Sequence, residues 1–145
     1  MKIIRELASL LGFAFMYYAI SSNMATLPPT IPTHFVADGT PNAFGPREAL
    51  WNLPIVAIGM YGLLTVVGVA VSLTKTPPKG NMPIRRVESL LGWTKAEMVW
   101  TIAYLVWGTI ETALGHAKGL DPVAAIAPVV VIMATVVLHV VPSRR

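Results

Sequence analysis

Four long apolar stretches, separated by three segments rich in proline, glycine and charged residues, dominate the pattern of the chain. They cover residues 7–25, 49–74, 97–114 and 122–141. A helix needs about 20 residues, within a range of roughly 17–25, to cross the hydrocarbon core of a bilayer. Each stretch reaches that length. The pattern therefore predicts an all-α integral membrane protein with four transmembrane helices, forming one domain over residues 1–145.

Start signals precede the third and fourth helices. Thr94 and Glu97 have the spacing of a capping box, which begins the third helix. Asp121 can accept hydrogen bonds as an N-cap, and Pro122 then occupies the first helical position, where proline is tolerated. The segment 83–93, just before the third helix, fits either a short interfacial helix or a solvated connector.

The segment 27–46, between the first and second helices, is unlike an ordinary linker. It contains five prolines and two glycines in twenty residues, which excludes a regular helix. It also contains Ile31, Phe35 and Phe44, which are too apolar for a solvated connection. The sequence therefore predicts an ordered loop that packs on the rest of the molecule.

The composition supports a membrane protein and excludes several other classes. Only 12% of the residues are charged, whereas soluble domains have about 25%, and the mean hydropathy is +0.64. The chain has no cysteine, which excludes disulfides, thiolate catalysis and cysteine-ligated metals. The net charge of +4 does not indicate nucleic acid, because the basic residues flank the apolar stretches. The predicted partner is the lipid bilayer.

The basic residues also predict the topology. Nine of the eleven lysines and arginines lie in the N-terminus, the segment 75–95 and the C-terminus. Because cytoplasmic segments carry the excess of positive charge, we expect both termini in the cytoplasm and the loop 27–46 outside. No small-residue cleavage site follows the first apolar stretch, so we interpret it as a retained helix.

Three residues on the predicted outer side could form a polar site. Glu111 lies within the third helix, where an acid is costly and therefore a functional candidate, unless it reaches water or pairs with Lys118. Glu111, His34 and His116 together have the chemistry of a divalent-metal site. Alternatively, His34 bonds to the loop backbone and His116 caps the end of the third helix.

No motif commits the chain to a reaction. Nucleophile elbows, phosphate-binding glycine loops, dinucleotide-binding glycines and paired catalytic carboxylates are all missing from the sequence. We therefore expect a protein without catalytic residues or a cofactor.

The pattern Leu27–Pro28–x–x–Ile31–Pro32–Thr33–His34–Phe35–x–x–x–Gly39–x–Pro41, within residues 7–70, resembles a known signature. It is similar to that of a bacterial membrane domain of unknown function at the N-terminus of SdpI-type immunity proteins. The resemblance implies a protein of the bacterial inner membrane. It also implies a role in protection against a secreted peptide toxin, or in sensing one.

These observations give one leading hypothesis and two alternatives. The leading hypothesis is a non-enzymatic SdpI-like protein that recognises an extracellular peptide or a membrane partner through Pro32, His34, Phe35, Asp38, Gly39 and Pro41. The first alternative is a small membrane enzyme or transporter that uses His34, Glu111 and His116. The second is an accessory subunit of a larger membrane complex.

Overall fold

A computed structural model describes residues 2–73 and 83–141 of the chain. Its elements are α1 (Lys2–Asn23), β1 (Thr30–Phe35), β2 (Pro41–Pro46), a 3-10 turn (Arg47–Trp51), α2 (Asn52–Leu73), α3 (Ile84–Ala113) and α4 (Pro122–Val140). The protein is mostly helical, with one small two-stranded sheet. The predicted end of the second helix at Thr74, the basic residues Lys75 and Lys79, and the C-terminal residues 142–145 lie outside the described residues.

Three helical segments among the described residues are long and apolar enough to cross a membrane. They are Lys2–Asn23, Arg47–Leu73 and Pro122–Val140. The last two bury almost none of their side chains within the protein, so their apolar surfaces are available to lipid. These properties are those of a membrane protein.

The helix α3 has a different role, because it packs against all three other helices and against β1. It has the longest set of buried residues of any element, from Gly92 to Ile110. A helix enclosed by its neighbours need not present an apolar surface to lipid all round. This position explains why α3 can contain charged side chains that the other helices exclude from their middles.

The course of α3 corrects the predicted start of the third helix. A single helix runs from Ile84 to Ala113, so the segment 83–93 is neither a separate interfacial helix nor a connector. Pro83 is its N-cap residue, and Thr94 therefore lies inside the helix without capping it. No proline interrupts the helix, and Gly92 is tolerated within it because it packs against Arg5 of α1.

The segment predicted as an irregular loop contains an antiparallel β-hairpin. β1 pairs with β2 from Thr30–Pro46 to Phe35–Pro41, with two register irregularities around His34. Proline is compatible with strands that have an unpaired edge, and both strands of this sheet have one. Ile31 is 1% exposed and joins the core formed by α1 and α3, which fixes the hairpin on the helices.

The other helix boundaries differ from the prediction by a few residues. α1 begins at Lys2, before the predicted residue 7, because the polar side chains of its first turns bond to other helices. The second helix is preceded by the 3-10 turn. The prediction for Asp121 is confirmed, since its Oδ1 accepts hydrogen bonds from the amides of Val123 at 2.8 Å and Ala124 at 3.2 Å.

The helices alternate in direction, which gives the molecule two distinct ends. At the hairpin end, which comprises the hairpin and residues 111–122, the amide of Leu120 donates to the carbonyl oxygen of Gly39. At the basic end, which comprises residues 2–9, 61–73, 83–97 and 135–141, Arg5 of α1 bonds to Ser89 of α3. His139 of α4 lies 3.2 Å from the same serine hydroxyl.

Candidate functional site

The hairpin ends in a tight turn that is fixed by its own side chains. The amide of Gly39 donates to the carbonyl oxygen of Val36 at 2.8 Å, and the amide of Val36 donates to Thr40 at 2.9 Å. Asp38 Oδ1 accepts from the hydroxyl of Thr40 at 2.5 Å and from its amide at 2.9 Å. These bonds from Thr40 favour the ionised carboxylate and lower the pKa of Asp38 below its ordinary value of 3.8.

The turn docks on the connection between α3 and α4 through backbone contacts. Gly39 has a φ of +84°, and its carbonyl oxygen accepts the amide of Leu120 at 2.9 Å. A Cβ on Gly39 would overlap the carbonyl group of Leu120, and a Cβ on Gly119 would overlap that of Gly39. Both glycines are therefore needed for the two backbones to approach this closely.

Beneath the docked hairpin lies a cavity of about 490 Å³. Its walls come from the hairpin, the start of α2, the last turns of α3 and the first turns of α4. Most of the lining is apolar and includes Phe35, Leu53, Leu105, Leu120 and Ile126. Ligand cavities have volumes of about 300–1,000 Å³ and mostly apolar walls, so this cavity is the candidate functional site.

The predicted recognition residues occupy different positions around this cavity. His34, Phe35 and Gly39 line it. Pro32 is buried and pairs with Phe44 in the sheet, and Pro41 pairs with Phe35. Asp38 lies on the exposed turn.

The histidine predicted to join the polar site has a partner on its own hairpin. His34 Nδ1 lies 2.5 Å from Oδ1 of Asn42, so the ring can donate a hydrogen bond to the amide oxygen across the strands. This contact orients the imidazole at the edge of the cavity. It connects His34 to a side chain, in place of the loop backbone named in the alternative interpretation.

Glu111 and His116 lie together at the end of α3. Glu111 Oε2 is 3.2 Å from His116 Nδ1, so the acid is paired with His116 and not with Lys118. The side chains of Glu111 and His116 are 29% and 62% exposed, respectively. Across residues 2–73 and 83–141, no group of three or more His, Asp or Glu side chains is arranged to hold a metal ion, which leaves His34 apart from the other two.

The basic end contains a cluster of polar residues around the buried Lys95 that the sequence interpretation missed. Lys95 is 7% exposed, and its Nζ lies 2.9 Å from Glu6 Oε1 and 3.3 Å from the hydroxyl of Thr65. The hydroxyl of Tyr61 donates to the other oxygen of Glu6. Lys95 also lies 4.4 Å from the centroid of the Tyr61 ring, close enough for a cation–π interaction. The cluster joins α1, α2 and α3.

The position of Lys95 corrects the prediction that it lies in a connection between two helices. The lysine lies inside α3 and faces a carboxylate 89 residues earlier in the chain. The sequence did contain one signal for this cluster, because Glu6 and Lys95 are charged residues in a chain that has few of them. Their distance along the chain, however, gave no indication that they would pair.

A second set of polar contacts joins α3 to α4. Glu97 Oε1 accepts from the hydroxyl of Thr135 at 2.5 Å, whereas Glu97 Oε2 is buried without a partner among the described residues. His139 Nδ1 lies 2.8 Å from the carbonyl oxygen of Thr135, so this nitrogen is the donor. His139 Nε2 can then accept from the hydroxyl of Ser89.

Comparison with known proteins identifies one domain. Residues 9–58 match the family model described as "Domain of unknown function (DUF1648)". The match covers most of α1, the hairpin and the start of α2, about a third of the chain. No match to the chain is found among curated proteins or among solved structures.

The matched domain forms only part of the cavity. The DUF1648 segment supplies the hairpin roof and Leu53 of the cavity. The other walls, from α3 and α4, lie beyond the matched residues. The cavity is mostly apolar, with the polar side chains of His34 and Thr109 in its lining, and it is therefore suited to bind an apolar group.

Proposed function

We propose that this protein is a non-enzymatic membrane protein that binds the apolar part of an extracellular peptide in the cavity beneath the hairpin. The role would be immunity to a toxic peptide, or sensing of one, as in SdpI-like proteins. The observation that carries the proposal is the cavity of about 490 Å³, with mostly apolar walls. The hydrogen bond from the amide of Leu120 to the carbonyl oxygen of Gly39 holds the hairpin over the cavity, so the site is formed before a ligand binds.

The proposal includes a topology with four membrane spans, both termini in the cytoplasm and the hairpin outside. Its support is that all four helices run between the hairpin end and the basic end. Lys2, Arg5, Arg85 and Arg86 all belong to the basic end, as the positive-inside rule requires for a cytoplasmic side. The less apolar α3 would cross the bacterial inner membrane surrounded by the other three helices.

The proposal can be tested by measuring how well the protein protects a host cell from toxic peptides when a larger side chain fills the cavity. A host that is sensitive to membrane-active secreted peptides would express the wild type, Ala125→Phe or Ala127→Phe. Ala125 lines the cavity, whereas Ala127 is exposed on the same helix. We expect the wild type and Ala127→Phe to raise the inhibitory peptide concentration about tenfold, and Ala125→Phe to abolish the effect because its ring occupies the site.

A second substitution examines the polar edge of the cavity. His34→Ala removes the imidazole but leaves the apolar walls intact, so protection should weaken without disappearing. Immunoblots of membrane fractions would establish equal amounts of each variant. Unchanged sensitivity across a panel of peptides, or full protection by Ala125→Phe, would contradict the proposal.

A further inference from the structure

A second cavity, of about 440 Å³, lies at the basic end between α1, α2 and α3. We propose that it binds a phosphate group, either of an anionic lipid or of free phosphate. This site is separate from the cavity beneath the hairpin, and the proposal does not depend on the peptide-binding function. The two cavities share no lining residue in the part of the chain that the structure describes.

Positive charge predominates among the residues that line this cavity. Among the described residues, four cations, Lys2, Arg5, Arg85 and Lys95, face two acids, Glu6 and Glu88. Glu6 is already engaged by Lys95 and by the hydroxyl of Tyr61. The remaining three cations therefore share one carboxylate of the lining.

Arg5 is the residue that points most directly to an anion. It is only 8% exposed, and its Nη1 bonds to neutral groups, the carbonyl oxygen of Ser89 at 3.1 Å and the hydroxyl at 2.8 Å. Its buried Nε has no hydrogen-bond partner in the part of the chain that the structure describes. Within residues 2–73 and 83–141, no carboxylate lies within 4.0 Å of the guanidinium.

The fold makes room for this guanidinium. A Cβ on Gly92 would lie 3.0 Å from Nε and 3.1 Å from Cζ of Arg5, closer than side chains normally pack. Glycine at this position of α3 therefore allows the arginine to lie flat against the helix. The stem and head of Arg5 are held at the cavity wall by this packing and by Ser89.

The contrast with Lys95 shows what Arg5 lacks. Both side chains are more than nine-tenths buried, yet Lys95 has Glu6 as a counter-charge and Arg5 has only neutral partners among the described residues. A buried charge is costly unless it is paired and hydrogen-bonded. An anion in the adjoining cavity would supply the missing partner for Arg5.

Two arguments favour phosphate as the anion. The planar guanidinium of arginine presents parallel N–H donors that match phosphate oxygens. In addition, basic pockets between membrane helices on the cytoplasmic side are suited to anionic lipid headgroups. The hydroxyls of Thr65 and Ser72 also line the cavity, but they already donate to the carbonyl oxygens of Tyr61 and Val69, so the cations are left to bind the phosphate oxygens.

Thermal unfolding in a non-ionic detergent tests the proposal. Inorganic phosphate and a short-chain phosphatidylglycerol would be titrated separately at constant ionic strength, with chloride as the reference salt. Because a ligand of the folded state stabilises it, we expect a saturable rise in the unfolding temperature. A rise with both probes assigns the site to phosphate in general, and a rise with the lipid alone assigns it to a lipid headgroup; both results support the proposal.

Two neighbouring arginines provide a matched pair of variants. Arg85 lines the cavity and Arg86 does not, although Arg85→Gln and Arg86→Gln remove the same charge from the same turn of α3. Loss of one charged hydrogen bond should weaken apparent phosphate affinity about tenfold in Arg85→Gln. Arg86→Gln should leave the affinity within about twofold of the wild type.

Arg5→Gln should abolish saturable stabilisation, because it removes the buried cation. If Arg5→Gln does not fold, the comparison of Arg85→Gln with Arg86→Gln still decides the question. Absence of saturable stabilisation by either probe would overturn the proposal. Equal weakening by Arg85→Gln and Arg86→Gln would overturn it as well, because the effect would then be one of net charge.

Discussion

The two ends of this molecule are held together by different kinds of contact. At the hairpin end, the backbone of Gly39 bonds directly to the backbone of Leu120. At the basic end, side chains make the connections, with Lys95 on Glu6 and Arg5 on Ser89. The reason is the local secondary structure: turns have free N–H and C=O groups, whereas the backbone groups within helices are already bonded to each other. The hairpin end therefore depends on backbone shape, and the basic end on charge.

The largest expected effect comes from adding a side chain at the hairpin end. Gly39→Ala places a methyl group against the carbonyl of Leu120 and forces alanine into a φ of +84°. The hairpin must then move away from the α3–α4 connection. We expect a loss of about 3 kcal/mol in the free energy of unfolding, measured by denaturant titration in detergent micelles.

Gly115→Ala is the matched control for this substitution. Gly115 has a φ of +76°, but apart from its two chain neighbours no described residue lies within 4 Å of the position that an added methyl group would take. The variant should therefore lose only the conformational cost of the left-handed region, about 1 kcal/mol. Equal losses for the two variants would mean that the close approach of Gly39 and Leu120 does not stabilise the fold.

A smaller effect is expected from removing the counter-charge at the basic end. Glu6→Gln leaves the ammonium of Lys95, which is almost fully buried, without its carboxylate partner. Because the Glu6 side chain is 33% exposed, solvent compensates for part of the loss. We expect a decrease of about 2 kcal/mol in the free energy of unfolding.

The ion pair of Arg47 and Glu48 provides the comparison for Glu6→Gln. Its side chains are 34% and 69% exposed, and its N–O distance is 3.4 Å. Removal of the charge by Glu48→Gln should change the free energy of unfolding by less than about 1 kcal/mol. Similar effects for Glu6→Gln and Glu48→Gln would show that the Glu6–Lys95 pair behaves as a surface contact.

The smallest expected effect is a pH dependence at the hairpin turn. The pKa of Asp38 is lowered from 3.8 by its bonds from Thr40, so the ionised carboxylate stabilises the folded turn. This contribution is complete above the unfolded pKa and is lost as the pH falls through the folded pKa. The wild type should therefore unfold at a slightly higher temperature than Asp38→Asn at about pH 6, and the difference should shrink as the pH falls below 3.8 to about 2.

Thr40→Val removes the hydroxyl donor and tests the origin of this dependence. If the hydroxyl of Thr40 lowers the pKa of Asp38, this variant should show a smaller change in unfolding temperature between the two pH values. An unchanged pH dependence in Thr40→Val would assign the effect to other groups.

Local sequence signals predicted much of the fold where neighbouring residues decide the structure. The Asp121–Pro122 start of α4 is one example, because the carboxylate bonds to amides two and three residues later. A second example is the segment 27–46, which packs on the helices because apolar side chains such as Ile31 have to be buried. The same kind of signal was wrong for Thr94, because the helical pattern continues upstream to Ile84.

The candidate site was predicted only in part. His34, Phe35 and Gly39 were identified from the hairpin segment and line the cavity. Its remaining walls come from residues such as Leu105 and Ile126, which look like ordinary membrane-facing positions in the sequence. Which apolar residues of a helix face a cavity depends on how the helices pack, and no periodicity within one helix contains that information.

The sequence by itself determined the apolar helices, the chain reversals between them and the excess of positive charge near the N-terminus and α3. These features follow from residues that act on their immediate neighbours or on the surrounding medium. Only the tertiary structure decided that Lys95 meets Glu6 and that Arg5 has no acidic partner among the described residues. Such contacts join residues more than eighty positions apart, so they exist only after α1 and α3 have packed side by side.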